Sequence, residues 1–180
     1  DSNEDFTLTV TATASTIAGP GSEEIVDTAD TVGTINVDVV GVADTPNLAT
    51  ETATGDEDTE IPLNIDSSLM DVDQSETLSI TITGVPDGAS LSTGVHDTEA
   101  GTWTLTPDQL AGLTITPPLG STDDFELTVT ATTTENDAGT AFDADGNDVG
   151  ITSIEMPLQV NVLDVADQPT LVLRDNVGYE

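Results

Sequence analysis

The sequence predicts an all-β protein built as an antiparallel β-sandwich. Two observations lead to this prediction: short segments in which apolar residues alternate with threonine, serine or other polar residues, and turn-forming residues between those segments. Alternation with a period of about two, in segments rich in β-branched residues, is typical of strands that are buried on one face. Almost no part of the chain shows a helical period, so two packed sheets are the favoured architecture.

Six alternating segments are predicted to be strands. They cover residues 6–14, 34–40, 77–85, 102–106, 125–134 and 156–165. Turn sequences such as PDG at 86–88 lie between them. The stretch TPDQLAGL predicts one helical turn, with Thr106 as its cap and Pro107 at its first position. Short strands joined by regular turns indicate an immunoglobulin-like or cadherin-like layout.

The charge of the chain argues against several kinds of partner. The 180 residues include 35 acidic residues, one basic residue and no cysteine, for a formal net charge of -34. Such a chain offers no basic patch for phosphate groups, so we expect neither nucleic acid nor an anionic membrane surface as a partner. No apolar run has the length that a membrane span needs, so no membrane insertion is expected.

An internal repeat divides the chain. Residues 2–13 (SNEDFTLTVTAT) match residues 121–132 (STDDFELTVTAT), and VADTP after Gly41 matches VADQP after Asp164. The period is roughly 120 residues, which is the size of one sandwich. The repeat therefore predicts a piece of a tandem array. Residues 1–45 are predicted to be the C-terminal half of one sandwich, residues 46–168 a complete sandwich, and residues 169–180 the start of a third.

The first 45 residues would then lack the front strands of their module. Because unpaired strand edges are a liability, something has to cover them. Two arrangements stay open from the sequence. Either the covering strands lie outside this chain, or the segment pairs with later segments in a split domain.

Three longer segments carry a resemblance to a known family. They are GDEDTEIPLNIDSSLMDVDQSETLSITITGVPDGASLSTG, GTWTLTPDQLAGLTITPP and STDDFELTVTATTTE, which begin at Gly55, Gly101 and Ser121. Together they resemble the tandem Ig-like or cadherin-like modules of giant bacterial repeats-in-toxin (RTX) adhesins, repetitive surface proteins that leave the cell by type I secretion. The string W-T-L-T-P-x-Q-L-x-G-L is the most distinctive part. The resemblance implies a calcium-stiffened extracellular rod that holds ligand-binding domains away from the cell.

Acidic residues cluster where the predicted strands begin and end. Asp123 and Asp124 precede the strand at 125–134, while the last strand finishes at Asp164 and Asp167. If these two strands are antiparallel, all four side chains lie at one end of the sandwich. Calcium takes about six to eight oxygen ligands, several of them from carboxylates, so such an end is where its ligands would converge.

The resemblance implies further calcium ligands at two module junctions. In the cadherin-like pattern an acidic residue near the module start returns to the exit end, and Glu57 matches it, while DVDQSE matches the Asp-x-Asp motif of the entrance end. The ligands predicted at the first junction are Glu4, Asp5, Asp44, Asp71 and Asp73. Those predicted at the second are Glu57, Asp123, Asp124, Asp164 and Asp167. Gly41 stands where the second copy has Asp164, and no Asn-Asp-Asn linker is present, so we expect the first junction to bind calcium less well.

The segment AFDADGND is a separate candidate for a calcium loop. Asp143, Asp145 and Asn147 are spaced like the first ligands of such a loop, but Asp148 stands where an EF-hand needs glycine. An isolated calcium site and a plain polar turn both stay open. For the acidic residues as a whole, the alternative is a solvating coat, as in a salt-adapted protein.

Two functions follow from these patterns. The first is a calcium-stabilised structural extender of a bacterial surface adhesin, extracellular, whose partners are neighbouring modules and whose other domains bind a surface glycan or protein. The alternative is a module that itself binds a glycan or peptide through a calcium-loaded loop. Aromatic residues make up only 3% of the chain, which favours the first. The single histidine, His96, lies in a predicted hairpin turn without a recognisable pocket, so we expect no enzyme.

Overall fold

The computed structural model describes residues 4–21, 25–71, 74–136, 142, 146, 148–166 and 168–173. Over these residues the chain is all-β, with one short 3-10 helix and no α-helix, which confirms the predicted fold class at this level. The strands are β1 (Phe6–Ile17), β2 (Ile25–Val37), β3 (Asn47–Thr50), β4 (Ala53–Asp56), β5 (Ile61–Pro62), β6 (Ile65–Ser68), β7 (Glu76–Thr83), β8 (Ser90–Leu91), β9 (Val95–Asp97), β10 (Thr102–Leu105), β11 (Thr114–Thr116), β12 (Phe125–Glu135) and β13 (Ile151–Leu163). No helix in these ranges has the length and apolar character needed to cross a membrane.

The chain divides into two compact units. The first unit comprises Asp1–Thr45, Leu69–Thr77 and Thr133–Thr152, and the second comprises Pro46–Ser68, Leu78–Thr132 and Ser153–Glu180. The division falls inside β7, β12 and β13, so each of these strands has residues in both units. The modules predicted from the sequence repeat remain a prediction.

The second unit holds most of the hydrophobic core. Its largest sheet has the strand order β4-β13-β12-β7-β10-β9, accompanied by a sheet β5-β11-β8 and a pair β3-β6. The pair of β13 with β4 is parallel, and Val160 lies opposite Ala53. Apolar residues at alternate positions of the long strands face the core, so that Ile80, Ile82 and Val129 are fully buried. This is the burial that the period-two pattern predicts.

In the first unit, β1 and β2 form a long antiparallel hairpin. Phe6 lies opposite Val37, and the register continues to Ile17 opposite Ile25, with one irregularity next to Ile17. Among the described strands, neither pairs with any other, and every residue of β1 is exposed. The structure therefore shows no strand pairing between this hairpin and the later described segments.

The two copies of the sequence repeat form comparable strands in different surroundings. Leu8 and Val10 of β1 correspond to Leu127 and Val129 of β12. The first pair is 47% and 51% exposed, whereas the second pair is 0% exposed. The same apolar residues thus line an open hairpin face in one copy and a core in the other.

Local signals explain where the sequence predictions succeed and where they fall short. The predicted helical turn is present as a 3-10 helix at Pro107–Leu110, and the Thr106 N–H donates to Oε1 of Gln109 at 2.9 Å. The strand predicted at 34–40 begins earlier, at Ile25, because pairing with β1 extends it through a stretch without strict alternation. Strands such as β5 and β8, of two residues each, are too short to show a period.

The turn after β7 yields a first prediction. Gly84 has a φ of 79°, and a Cβ there would lie 2.7 Å from the backbone oxygen of Glu126. Gly112 has a similar φ of 75° but nothing within 4 Å of that position. We expect Gly112→Ala to lower the free energy of unfolding by about 1–2 kcal/mol, the cost of left-handed backbone. Gly84→Ala should cost about 1–3 kcal/mol more, since the neighbouring backbone has to move.

Urea unfolding of both variants measures this difference. Equal losses in the two variants would contradict a role for the close approach between Gly84 and Glu126.

Candidate metal sites

One end of the β12–β13 pair carries several predicted ligands. Oδ1 of Asp124 accepts the backbone N–H of Val162 at 2.8 Å. The side-chain amide of Gln159 donates to the backbone oxygen of Phe125 at 3.2 Å. The beginning of β12 therefore lies beside the end of β13, which means that the two strands are antiparallel. This is the strand direction that the sequence predicted.

Glu57 reaches the same end of β13. Its N–H donates to the backbone oxygen of Leu163 at 2.9 Å, and its Oε1 accepts the N–H of Val165 at 2.9 Å. Glu57 thus bonds to the residues on both sides of Asp164, which is itself exposed. The structure brings Glu57 and Asp124 to the terminal residues of one strand, and their role as metal ligands stays a prediction.

The carboxylates at this end have a structural task that the sequence did not suggest. Asp124 and Glu57 each use one oxygen to bind a backbone N–H where β13 ends, and Asp58 likewise accepts the N–H of Gly120 at 2.6 Å. Asp123 is exposed, with its own N–H directed to Oγ of Ser121 at 3.4 Å. A carboxylate that accepts a backbone N–H satisfies a donor that would otherwise need water.

The donors at this end suit calcium in kind, because all of them are oxygens. The number of grouped side chains is small for a calcium site: within the described part of the chain, no three acidic or histidine side chains are close enough to hold a metal ion together. Asp167, the remaining ligand predicted for this junction, lies outside the described residues.

The ligands predicted for the first junction have separate partners. Oδ1 of Asp5 accepts the N–H of Val39 at 2.8 Å, and the N–H of Asp44 donates to Oε1 of Glu76 at 2.6 Å. Glu4 is exposed and Asp71 is partly buried. Asp73 lies outside the described residues. The bond made by Asp5 repeats the bond that Asp124 makes to Val162, at the corresponding positions of the other copy.

The proposed calcium loop is only partly described. Asp143 and Asp145 lie outside the described residues. Next to them, Phe142 and Asp148 form an isolated antiparallel bridge, and Oδ1 of Asp148 accepts the N–H of Gly150 at 3.0 Å. The loop therefore stays a prediction.

His96 has a structural partner. Its ring stacks on Trp103, with ring centroids 4.5 Å apart and an interplanar angle of 6°. The two residues lie opposite each other on β9 and β10. This is a cross-strand aromatic contact of the kind that stabilises sheets.

Sequence reasoning missed a group of buried polar side chains. Within the described residues, the buried polar or charged side chains are Glu76, Thr133 and Glu135. Glu76 continues the inward register of Leu78, and Thr133 and Glu135 continue that of the buried apolar positions of β12. Counting positions in steps of two along each strand was the signal that could have revealed them.

Comparison of the chain with protein-family models, with curated proteins and with solved structures finds no match. The resemblance of the quoted segments to RTX adhesin modules therefore stays a prediction.

The bond between Asp124 and Val162 yields a second prediction. We expect Asp124→Ala, measured in EDTA, to lower the free energy of unfolding by about 1 kcal/mol, because the N–H of Val162 loses its charged acceptor. Asp123→Ala is the matched control, since Asp123 is the neighbouring carboxylate and both residues are exposed. That change should stay within about 0.5 kcal/mol of the wild type.

Chemical denaturation of both variants at one pH measures the two changes. If Asp123→Ala costs as much as Asp124→Ala, the loss reflects overall charge and not this bond.

Proposed function

We propose that this chain is part of a tandem array of immunoglobulin-like or cadherin-like sandwich modules, stabilised by calcium, that extends a bacterial surface adhesin away from the cell. The observation that carries the proposal is that both copies of the internal repeat form an antiparallel strand pair, while among the described residues only the second copy buries its apolar face in a core. An array of like modules accounts for both facts, since each module would need a complete set of strands.

The likeness of the two hairpins extends to individual bonds. Asp5 accepts the N–H of Val39 and Asp124 accepts the N–H of Val162, each at 2.8 Å. These residues occupy corresponding places in the repeat, just before the first strand and near the end of the second. The two copies of the repeat are therefore alike in these hydrogen bonds as well as in their sequences.

The strands that flank the hairpin of β12 and β13 indicate which strands are missing beside the hairpin of β1 and β2. In the large sheet, β12 lies beside β7 and β13 lies beside β4. Both of these flanking strands come from the front part of the same module, residues 46–120. We propose that a front part of the same kind, belonging to the preceding module of the array, covers the apolar face of β1 and β2.

The segment that follows the first hairpin is held by its own contacts. Ala43 is buried, and its N–H donates to the backbone oxygen of Val149 at 2.8 Å. Pro46, which begins the second unit, is also buried, and proline fixes one backbone dihedral. The hydrogen bond of Ala43 and the fixed dihedral of Pro46 limit the conformations open to this short segment.

Calcium fits this role on grounds of charge and donor type. A formal charge of -34 destabilises any compact state through self-repulsion, which bound cations relieve. Extracellular calcium modules have dissociation constants of about 10⁻⁴ to 10⁻³ M, so such sites stay empty in the cytosol and fill outside the cell. The carboxylates of Glu57 and Asp124, at the end of β13, are the donors proposed for the junction that follows.

A third prediction concerns calcium and stability. We expect millimolar calcium to raise the unfolding temperature, because a site at about one hundred times its Kd stabilises the folded state by about 2.7 kcal/mol. Magnesium should act less, since it demands near-octahedral geometry and gives up water reluctantly. Calorimetric melts in EDTA, magnesium and calcium at constant ionic strength measure the effect. Identical curves in EDTA and calcium would refute a calcium-stabilised module.

A fourth prediction concerns the uncovered hairpin. We expect that fusing a second copy of residues 46–119 ahead of residue 1, which corresponds to residue 120, slows hydrogen exchange along β1, because the added strands cover its apolar face. Each apolar side chain buried in this way contributes about 1.5–3 kcal/mol. Val10→Asp in the fused chain should abolish the protection, since Val10 corresponds to the fully buried Val129.

Thr11→Asp is the control for the fused chain, because it adds the same charge at the neighbouring position on the opposite face. Equal exchange rates for β1 with and without the added copy would refute the array arrangement.

A further inference from the structure

A groove in the second unit lies apart from all of the proposed metal ligands. It has a volume of about 680 Å³ and is bordered by the β3–β6 pair and by the segment that joins the 3-10 helix to β11. All of its lining residues belong to the second unit. Ligand pockets usually measure about 300 to 1,000 Å³, so the groove is large enough to hold part of a partner molecule.

The floor of the groove is apolar and one of its walls is low. Leu63, Leu110 and Leu113 line the groove and are at most 7% exposed, so they form its floor. Ala111 and Gly112 also line it and are exposed, and nothing lies within 4 Å of the position that a Cβ of Gly112 would take. Because these two residues have little or no side chain, this side of the groove is open to solvent.

Two carboxylates stand at the rim on the side of the β3–β6 pair. Glu51 and Asp66 both line the groove and both are exposed. Asp66 lies opposite Ala49, and the N–H of Glu51 donates to the backbone oxygen of Asn64 at 3.1 Å, which continues the same ladder. Glu51 and Asp66 are therefore diagonal neighbours on one face, with Cβ atoms within about 8 Å of each other. The side-chain amide of Asn64 donates to Oε2 of Glu51 at 3.4 Å and helps to hold this carboxylate in place.

The charge of the chain favours a cationic occupant from another molecule. The sequence has no lysine, and its single arginine, Arg174, lies outside the described residues. The single histidine stacks on Trp103. A formal net charge of -34 attracts cations and makes two copies of the chain repel each other. The groove therefore suits a ligand that has an apolar stem and a positively charged end.

A lysine side chain has this form. Its four-carbon stem can lie along an apolar surface while the ammonium group stays at a polar edge. The ammonium is a compact charge with three rotatable donors, so it can face two separate carboxylates. Among the described residues that line the groove none is aromatic, whereas quaternary ammonium groups are recognised by aromatic side chains. The open side leaves room for a peptide backbone to continue on both sides of the lysine.

We propose that this groove binds a lysine side chain in an exposed segment of another protein. The stem of the lysine packs on Leu110 and Leu113, and its ammonium group lies between Glu51 and Asp66. Apolar residues next to the lysine cover the remaining floor. The binding uses no calcium ion and does not depend on whether the chain is an extender. The negative field of the whole chain speeds the encounter with such a basic partner.

An NMR titration of the full chain tests the groove. The protein is kept in a constant concentration of calcium and in about 0.15 M salt, where exposed charges more than about 8 Å apart are largely screened. The probe is a tripeptide of leucine, lysine and leucine with blocked ends. We expect saturable shifts of the backbone amide signals of Ala111 and Gly112. The same peptide with an acetylated lysine should bind about fivefold more weakly or worse, because one exposed ion pair contributes up to about a factor of five.

Three variants separate the groove from the general charge of the chain. Glu51→Gln with Asp66→Asn should weaken binding at least about fivefold, because both ion pairs are lost. Asp87→Asn with Glu99→Gln is the matched control, since it removes the same two charges from exposed residues of the second unit that do not line the groove. This control should change the Kd less than about twofold, because distant charges are screened. Ala111→Trp should block the groove without a change of charge, and thermal melts of each variant check that it is folded.

Four outcomes would overturn the proposal. The first is the absence of saturable shifts at Ala111 and Gly112. The second is an equal loss in the groove pair and the control pair, which would indicate attraction to the overall charge. The third is binding of butylamine as tight as that of the peptide, which would indicate a small amine as the ligand. The fourth is a dimer in sedimentation that both Arg174→Gln and the groove pair abolish, which would indicate a second copy of the chain. Failure of the proposed extender would instead appear in the exchange of β1 in the fused chain.

Discussion

Burial of the apolar face of β12 and its neighbours is the interaction on which the rest of the structure depends. Leu127, Val129 and Val160 are fully buried, and each occupies an alternate position of a strand whose other face is more open. The flanking strands β4 and β7 attach to this hairpin and not to each other. The hairpin also carries, at its two ends, Asp124 and Glu135, so its register decides where the acidic side chains lie.

Most of the described acidic residues either accept a backbone N–H group or are exposed to solvent, so their charges are compatible with the fold. Several accept backbone N–H groups at strand ends and in turns, as Asp5, Asp58 and Asp124 do. These bonds help to close the hairpins without burying much charge. Glu76 and Glu135 depart from that rule, since both are buried at alternate positions of the core face.

The sequence predicted the long strands because period-two alternation is a local property, and it predicted the 3-10 helix from Thr106 and Pro107 for the same reason. It also predicted that β12 and β13 are antiparallel, which places Asp124 near the end of β13. It did not predict the bonds of Glu57 to both sides of Asp164, because strand-end capping leaves no periodic signal. The burial of Glu76 was missed because an acidic residue at the edge of a strand is exposed in most proteins.

Comparison of the two copies of the repeat shows which structural properties come from the segment itself and which come from the strands around it. Register is local: β1 and β12 begin after corresponding aspartates, and each of these accepts the corresponding N–H near the end of the following strand. Burial is not local, since Val10 is 51% exposed and Val129 is 0% exposed although both lie in the same sequence context. A segment can therefore determine the register of its own hairpin, while the burial of its apolar side chains depends on other strands. In an array of such modules, each hairpin would set its own register, and the strands that bury its apolar face would have to fit that register.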